Sequence, residues 1–210
     1  MTSPRLYLAT PRLSGAEDIQ SLAGALTAAI AEADVACLVL RVAAGLADGA
    51  IASAVASLRA AARAREIAIL IEDRVDLVRS AGADGVHLSL AIAYDEARRR
   101  LGPDLIVGVS CGTRDEAIDV AEHGADYVAF GEFDDSAPRP ATLELAEWWA
   151  EIMTVPCVGA GGTGARDGAR LAAAGADFVA LGAAAWPALA DTLRDIATEL
   201  FMPPPRSGGG

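Results

Sequence analysis

Lysine and asparagine occur nowhere in this chain of 210 residues, and all 17 basic side chains are arginine. Chemistry that needs an amine nucleophile, such as a lysine Schiff base, is thereby excluded. A Walker phosphate loop, which depends on its lysine, is excluded with it. Aromatic residues supply only 5% of a chain that is 53% hydrophobic, so the core must be built from Ala, Val, Leu and Ile. The cysteines, Cys37, Cys111 and Cys157, are odd in number and scattered. That pattern argues against a disulfide framework or a zinc site and for a reducing cytoplasm. No apolar run is long enough for a membrane span, and the start MTSPRLYLAT lacks the charged-then-apolar pattern of an export signal. Positive charge is also short: 29 acidic residues leave a net charge of −12. Such a balance disfavours nucleic acid as a partner and serves solubility.

What is present is a repeat. GADGVHLS (82–89), GADYVAFG (124–131) and GADFVALG (175–182) each write Gly-Ala-Asp, an apolar run, then a small residue. Short apolar runs recur at Leu6–Ala9, Val35–Leu40, Ile67–Ile71, Gly85–Leu88, Leu105–Val109, Tyr127–Phe130, Val155–Val158 and Phe178–Leu181. Ala-rich segments with helical spacing lie between them, among them Ala16–Glu32, Gly49–Arg63 and Thr113–His123. Strand–helix alternation with short loops implies parallel strands and right-handed crossovers. Eight such units predict a single (β/α)8 TIM barrel over residues 1–201, followed by a disordered tail at 202–210. An open doubly wound sheet is the rival, but no Gly-x-Gly-x-x-Gly follows the first strand. In each repeat the Gly is expected to stop a helix in the left-handed conformation and the Asp to begin the next strand.

A barrel of this kind builds its site from the loops after each strand. Here those positions hold Thr10, Arg12, Arg41, Glu72, Asp73, Arg74, Ser89, Ser110, Glu132, Asp134, Asp135, Gly161, Gly162 and Gly182. The strongest local signal is the pair of glycine-marked turns at Gly161-Gly162 and Gly182-Ala183. Glycines there let backbone N–H groups approach an anion, and the following helix start adds partial positive charge. A small phosphorylated ligand is the partner this implies. The plain alternative is that a tight strand-to-helix turn needs glycine anyway.

Taken together, LYLAT, LVLR, ILIEDRVDL, GADGVHL, IVGVS, GADYVAFG, VGAGG and GADFVALG resemble the thiamine-phosphate synthase family, which includes a thiazole tautomerase branch. The resemblance implies a transferase that joins a pyrimidine diphosphate to a thiazole phosphate with Mg²⁺. It also implies roles for Arg41 as a diphosphate clamp, Ser110 at the end of strand five and Asp73 as a metal ligand. Several positions depart from the family pattern. Ala43 stands in place of a lysine, Glu72 in place of an amide, Ile92 in place of the second metal-ligating Asp, and Gly112 in place of a His. After strand six, Ser136-Ala137-Pro138-Arg139 replaces a Thr-x-Thr-Lys phosphate loop, with Asp134 and Asp135 beside it. The thiazole-phosphate half is thus retained, while the diphosphate and Mg²⁺ half is mostly lost.

Three functions stay open. One is a synthase-like transferase; another is a metal-free isomerase with Glu132 as acid–base, where the tautomerase branch has a His. The third is a non-catalytic binder of a phosphorylated ligand. His87 reads as a packed barrel residue, His123 as complementing a helix dipole, and Cys111 as inert. Of Trp148 and Trp149, one should be core, and the pair is compatible with a homodimer contact.

Overall fold

The structure is a computed structural model in which residues 4–62, 65–134, 137–162 and 164–201 are described. Arg63 as a helix end, the loop residues Asp135 and Ser136, and the tail 202–210 lie outside the described residues. The strands are β1 (Arg5–Ala9), β2 (Val35–Leu40), β3 (Ala68–Glu72), β4 (Gly85–Leu88), β5 (Ile106–Ser110), β6 (Tyr127–Phe130), β7 (Cys157–Ala160) and β8 (Phe178–Leu181). They close in sequence order, with β1 pairing in parallel to both β2 and β8. The crossover helices are α1 (Ala16–Ala29), α2 (Asp48–Ala62), α3 (Val78–Ala81), α4 (Tyr94–Leu101), α5 (Arg114–Glu122), α6 (Pro140–Ile152), α7 (Ala165–Ala173) and α8 (Leu189–Phe201). The expected (β/α)8 barrel is therefore the fold.

Strands β2, β4, β6 and β8 begin and end where the apolar runs do. The largest offset is β7, which starts at Cys157 rather than Val155. Pro156 has no N–H to give to a ladder, so the first donor available is that of Cys157, and Asp177 takes it.

The Gly-Ala-Asp repeat has a twofold physical cause. Gly82, Gly124 and Gly175 hold φ of 71°, 92° and 89°, the left-handed conformation that closes a helix at low cost only for glycine. Each Asp then grips both backbone groups of one residue on the preceding strand. Asp84 donates its N–H to the Ile69 carbonyl at 2.8 Å, and its Oδ2 accepts the Ile69 N–H at 2.8 Å. Asp126 does the same to Val107 at 3.1 and 2.8 Å. Asp177 does it to Cys157 at 3.0 and 2.9 Å. The Asp is a clasp at the barrel's lower rim as well as a strand start.

Alternation along the strands makes two cores. Outward residues such as Leu6, Leu8, Leu38, Ile69, Ile71 and Val86 pack under the helices. Inward residues, among them Tyr7, Ala9, Val39, Leu70, Tyr127, Ala129, Val158 and Ala180, fill the lumen with Phe133 from the loop after β6. Each fully buried aliphatic side chain contributes about 1.5–3 kcal/mol. Gly108 makes room for Tyr127, since a Cβ there would lie 1.8 Å from the Tyr127 ring. Trp149 is buried in the outer core with its Nε1 donating to the Val155 carbonyl at 2.7 Å. Trp148 is half-buried beneath Arg114, whose guanidinium sits 4.7 Å from its ring.

Candidate active site

At the carboxyl ends of the strands, four charges form an alternating row. Arg41 follows β2 with its backbone N–H donating to Thr10 Oγ1 at 2.9 Å, and its side chain is only 3% exposed. Its Nε donates to Glu72 Oε1 at 3.1 Å, while both terminal nitrogens donate to the Asp134 carboxylate at 2.7 and 2.6 Å. Glu72, buried at the end of β3, accepts a second bond from Arg12 at 2.6 Å. The guanidinium of Arg41 holds the Asp134 carboxyl below the usual carboxylate range. Their pairing therefore stabilises the fold above that carboxyl's ordinary pKa and is lost as pH falls through the lowered value. Arg41 is thus engaged by two of the chain's own acids. Arg74, which sequence places at the same rim, turns outward to Asp48 and Asp76.

Asp73 sits at φ 54° just beyond β3. Its carboxylate accepts the Ser89 N–H at 2.8 Å and the Ser89 hydroxyl at 2.7 Å, tying the ends of β3 and β4 together. Mg²⁺ takes near-octahedral oxygen ligands, usually one or two carboxylates with the rest from substrate and water. The donor set here fits it poorly. Both oxygens of Asp73 are engaged, Ile92 is 91% exposed where the resemblance asks for a second acid, and Asp95 lies on α4. Among the described residues there is no group of three or more metal-ligating side chains.

Below the charged row, a polar chain runs up the lumen. The Tyr7 and Tyr127 hydroxyls are 2.6 Å apart, and Tyr127 lies 2.9 Å from His87 Nδ1. His87 Nε2 lies 3.0 Å from Ser110 Oγ at the rim. Burial pushes the His87 pKa down to about 4; nearby Asp73 opposes this and Arg41 reinforces it. His87 is therefore packed, as its place inside a strand suggests, but it also touches a mouth residue. Phe133 roofs the group, stacked on Tyr7 at 5.7 Å and tilted over His87 at 5.0 Å.

The sequence-predicted residues do not converge on one cavity. Ser110 and Glu132 share a cleft of about 340 Å³ whose lining includes Ser89, Arg139 and Thr142. Glu132 is exposed, so it lacks the burial that the isomerase reading asks of its carboxylate. Arg41 and Asp73 do not line this cleft. Gly161 and Gly162 follow β7 with φ of 108° and 114°, and Gly182 follows β8; Ala160 and Ala180 are paired just below them. This corner is crowded by the molecule itself. A Cβ on Gly182 would lie 1.5 Å from the Phe133 carbonyl oxygen, and one on Gly162 would lie 2.4 Å from Asp167. Ala183 opens onto a second cleft, of about 280 Å³, beside Arg12 and Trp186.

Phe133, Tyr7 and Tyr127 are site residues that sequence reasoning passed over. The two tyrosines were detectable: each stands in phase with an inward alanine, Ala9 or Ala129. Cys111 is buried and its thiol is pushed up to about 12, chiefly by that burial, in keeping with inertness. His123 caps α5, with Nδ1 2.9 Å from the Asp119 carbonyl.

Fold and site together define a (β/α)8 barrel protein with a polar, internally paired mouth and glycine turns after its last two strands. The family model for thiamine monophosphate synthase matches residues 6–185. A thiamine-phosphate synthase of Rhodospirillum centenum is 44% identical over 192 residues, covering 89% of this chain and 91% of the relative. Another, of Hyphomonas neptunium, is 39% identical over 191 residues, covering 87% and 86%. A thiamine phosphate pyrophosphorylase structure from Pyrococcus furiosus matches with a TM-score of 0.74 at 22% identity, over 94% of this chain and 95% of that one. At that identity the structural likeness speaks for the fold. The chain belongs to the thiamine monophosphate synthase family, and so to thiamine biosynthesis. Among the described residues no helix is long and apolar enough to cross a membrane.

Proposed function

We propose that this protein binds a thiazole phosphate-type ligand at the barrel mouth, its phosphate held by backbone N–H groups of Gly161, Gly162, Gly182 and Ala183. The diphosphate and Mg²⁺ half of the family's site is, in this reading, reduced. The observation that carries it is the charge row. Arg41, the cation that would clamp a diphosphate, is already bonded to Glu72 and Asp134. An incoming diphosphate must displace Asp134 and tolerate Glu72, each a like charge beside it. Losing one preorganised contact to a developing charge costs about 3–4 kcal/mol of transition-state stabilisation. Ser110, Glu132 and Arg139 line the larger cleft, and in this reading they face the organic part of the ligand.

Two measurements test this. In an amide-resolved NMR titration with thiazole phosphate, Gly162, Gly182 and Ala183 should shift most. Calorimetry should show binding lost in Gly162→Val, where the left-handed φ and the Asp167 contact both oppose a side chain. Gly164→Ser, at an open helix N-cap with nothing within 4 Å, should bind like the parent. If the largest shifts cluster elsewhere, the glycine turns serve only the fold, and a binder of some other ligand becomes the better description. The metal half has its own readout. The melting temperature with pyrophosphate should be the same with and without Mg²⁺. A ligand at a hundred times its Kd stabilises by about 2.7 kcal/mol, so a working Mg²⁺–pyrophosphate site would reveal itself as a rise of several degrees.

A further inference from the structure

A serine 3.0 Å from an imidazole nitrogen invites the reading of an activated nucleophile. Counting the hydrogens argues against it. A neutral imidazole offers one donor and one acceptor, so whatever binds Nδ1 fixes what Nε2 can do. In a Ser-His-Asp arrangement a carboxylate accepts from Nδ1, leaving Nε2 bare to take the serine proton. Here the groups beside Nδ1 are hydroxyls, Tyr127 at 2.9 Å and Tyr7 at 3.3 Å, themselves 2.6 Å apart.

Two directions are open to this chain of groups. If Nδ1 carried the hydrogen, it would donate to Tyr127, Tyr127 to Tyr7, and the Tyr7 hydrogen would be left for the Cys37 sulfur, a weak acceptor. If Nδ1 is bare, Tyr7 donates to Tyr127 and Tyr127 to Nδ1, so both tyrosine hydrogens meet oxygen or nitrogen. In a fully buried lumen an unmet polar hydrogen costs about 1–3 kcal/mol, which selects the second direction. Nε2 then carries its hydrogen and donates to Ser110 Oγ. Ser110, half-buried and lining the larger cleft, is left with its own hydrogen to give away.

We propose that His87 is a positioning residue: fixed by Tyr127 and Tyr7 as the Nε2–H tautomer, it makes Ser110 a hydrogen-bond donor to an acceptor atom of the ligand, not a nucleophile. The ligand atom it meets is therefore a ring nitrogen or an oxygen without a proton. The identity of that ligand rests on the thiazole-phosphate reading above; the tautomer does not.

The full chain labelled with ¹⁵N-histidine would be examined by long-range ¹H–¹⁵N correlation, with His123→Gln identifying the two rings. The expected spectrum shows His87 protonated at Nε2 and bare at Nδ1. Tyr127→Phe should keep that tautomer, because the Tyr7 hydroxyl, 3.3 Å from Nδ1, still has a hydrogen to give. A parent protein with the hydrogen on Nδ1 overturns the proposal. The second arm is thiazole phosphate affinity. His87→Leu should weaken it about tenfold, while His87→Gln, which keeps a donor toward Ser110, should stay within about threefold. Equal affinity in folded His87→Leu and the parent would also overturn the positioning role. If the tautomer is as expected but the parent does not bind thiazole phosphate, the functional reading fails and the orientation of Ser110 stands.

Discussion

Glu72→Ala is expected to lower the unfolding free energy by about 3–5 kcal/mol. Glu72 is 6% exposed and bridges Arg41, itself 3% exposed, to Arg12. Removing the carboxylate leaves the Arg41 Nε without its acceptor in a place water hardly reaches. Replacing a whole buried pair by apolar groups can be neutral, but removing one partner exposes the full cost of the other's desolvation. Asp134→Ala is the matched contrast. It deletes two charge-assisted bonds to the same guanidinium, yet Asp134 is 62% exposed, so water and salt take over much of its role. Its effect should stay within about 1 kcal/mol. Urea unfolding at neutral pH, with m-values compared, measures both. Equal losses from the two variants would mean that burial does not set the worth of these contacts.

The second large effect is a pH dependence carried by His87. Burial lowers its folded-state pKa from the ordinary 6.5 to about 4. Between those values the unfolded chain binds a proton that the folded chain refuses, so stability rises with pH across that window. The contribution is complete above about pH 6.5 and declines as pH falls toward 4. At about 1.36 kcal/mol per pH unit, the window is worth roughly 3 kcal/mol. Carboxylates titrate nearby, so the comparison must be with His87→Gln, which cannot charge. The drop in unfolding free energy from pH 6.5 to 4 should be roughly 3 kcal/mol smaller in that variant. Parallel curves for parent and variant would show that His87 takes its proton in the folded protein as readily as in the unfolded one.

The architecture was legible because it rests on local signals. Short apolar runs located all the strands, glycine helix stops marked the approach to three of them, and the pairing order of a barrel follows from right-handed crossovers. Glu72, Arg41 and Ser110 were legible as mouth residues because strand ends are known once strands are. Their partners were not. Asp134 reaches Arg41 across 93 residues of chain, and nothing near Arg41 in sequence announces it. Phe133 was hidden for a related reason: it belongs to a loop, where hydrophobic periodicity carries no information, and its burial is set by lumen residues from β1 and β4. His87 was correctly read as packed, but its bond to Ser110 depends on the register between β4 and β5, with His87 level with Gly108.

The Asp clasps also divide the barrel for assembly. Asp84 fastens β4 to β3, Asp126 fastens β6 to β5, and Asp177 fastens β8 to β7. The remaining pair, β1 with β2, has its own tie, since Asp34 takes the Leu6 N–H on its carbonyl and Arg5 on its carboxylate. The carboxylate grips stay within their pairs, although the Asp84 and Asp177 carbonyls also accept the N–H groups of Ile106 and Arg5 in the next pair. A chain split after Leu101 would leave every clasp whole within its own fragment, whereas a split inside α5 would put Asp126 and Val107 on different pieces. The barrel is thus organised as quarters, and its natural seams lie between pairs of strands, where ladder bonds, side-chain packing and a few side-chain bonds such as Arg41 with Glu72 and Arg98 with Asp126 have to be re-made.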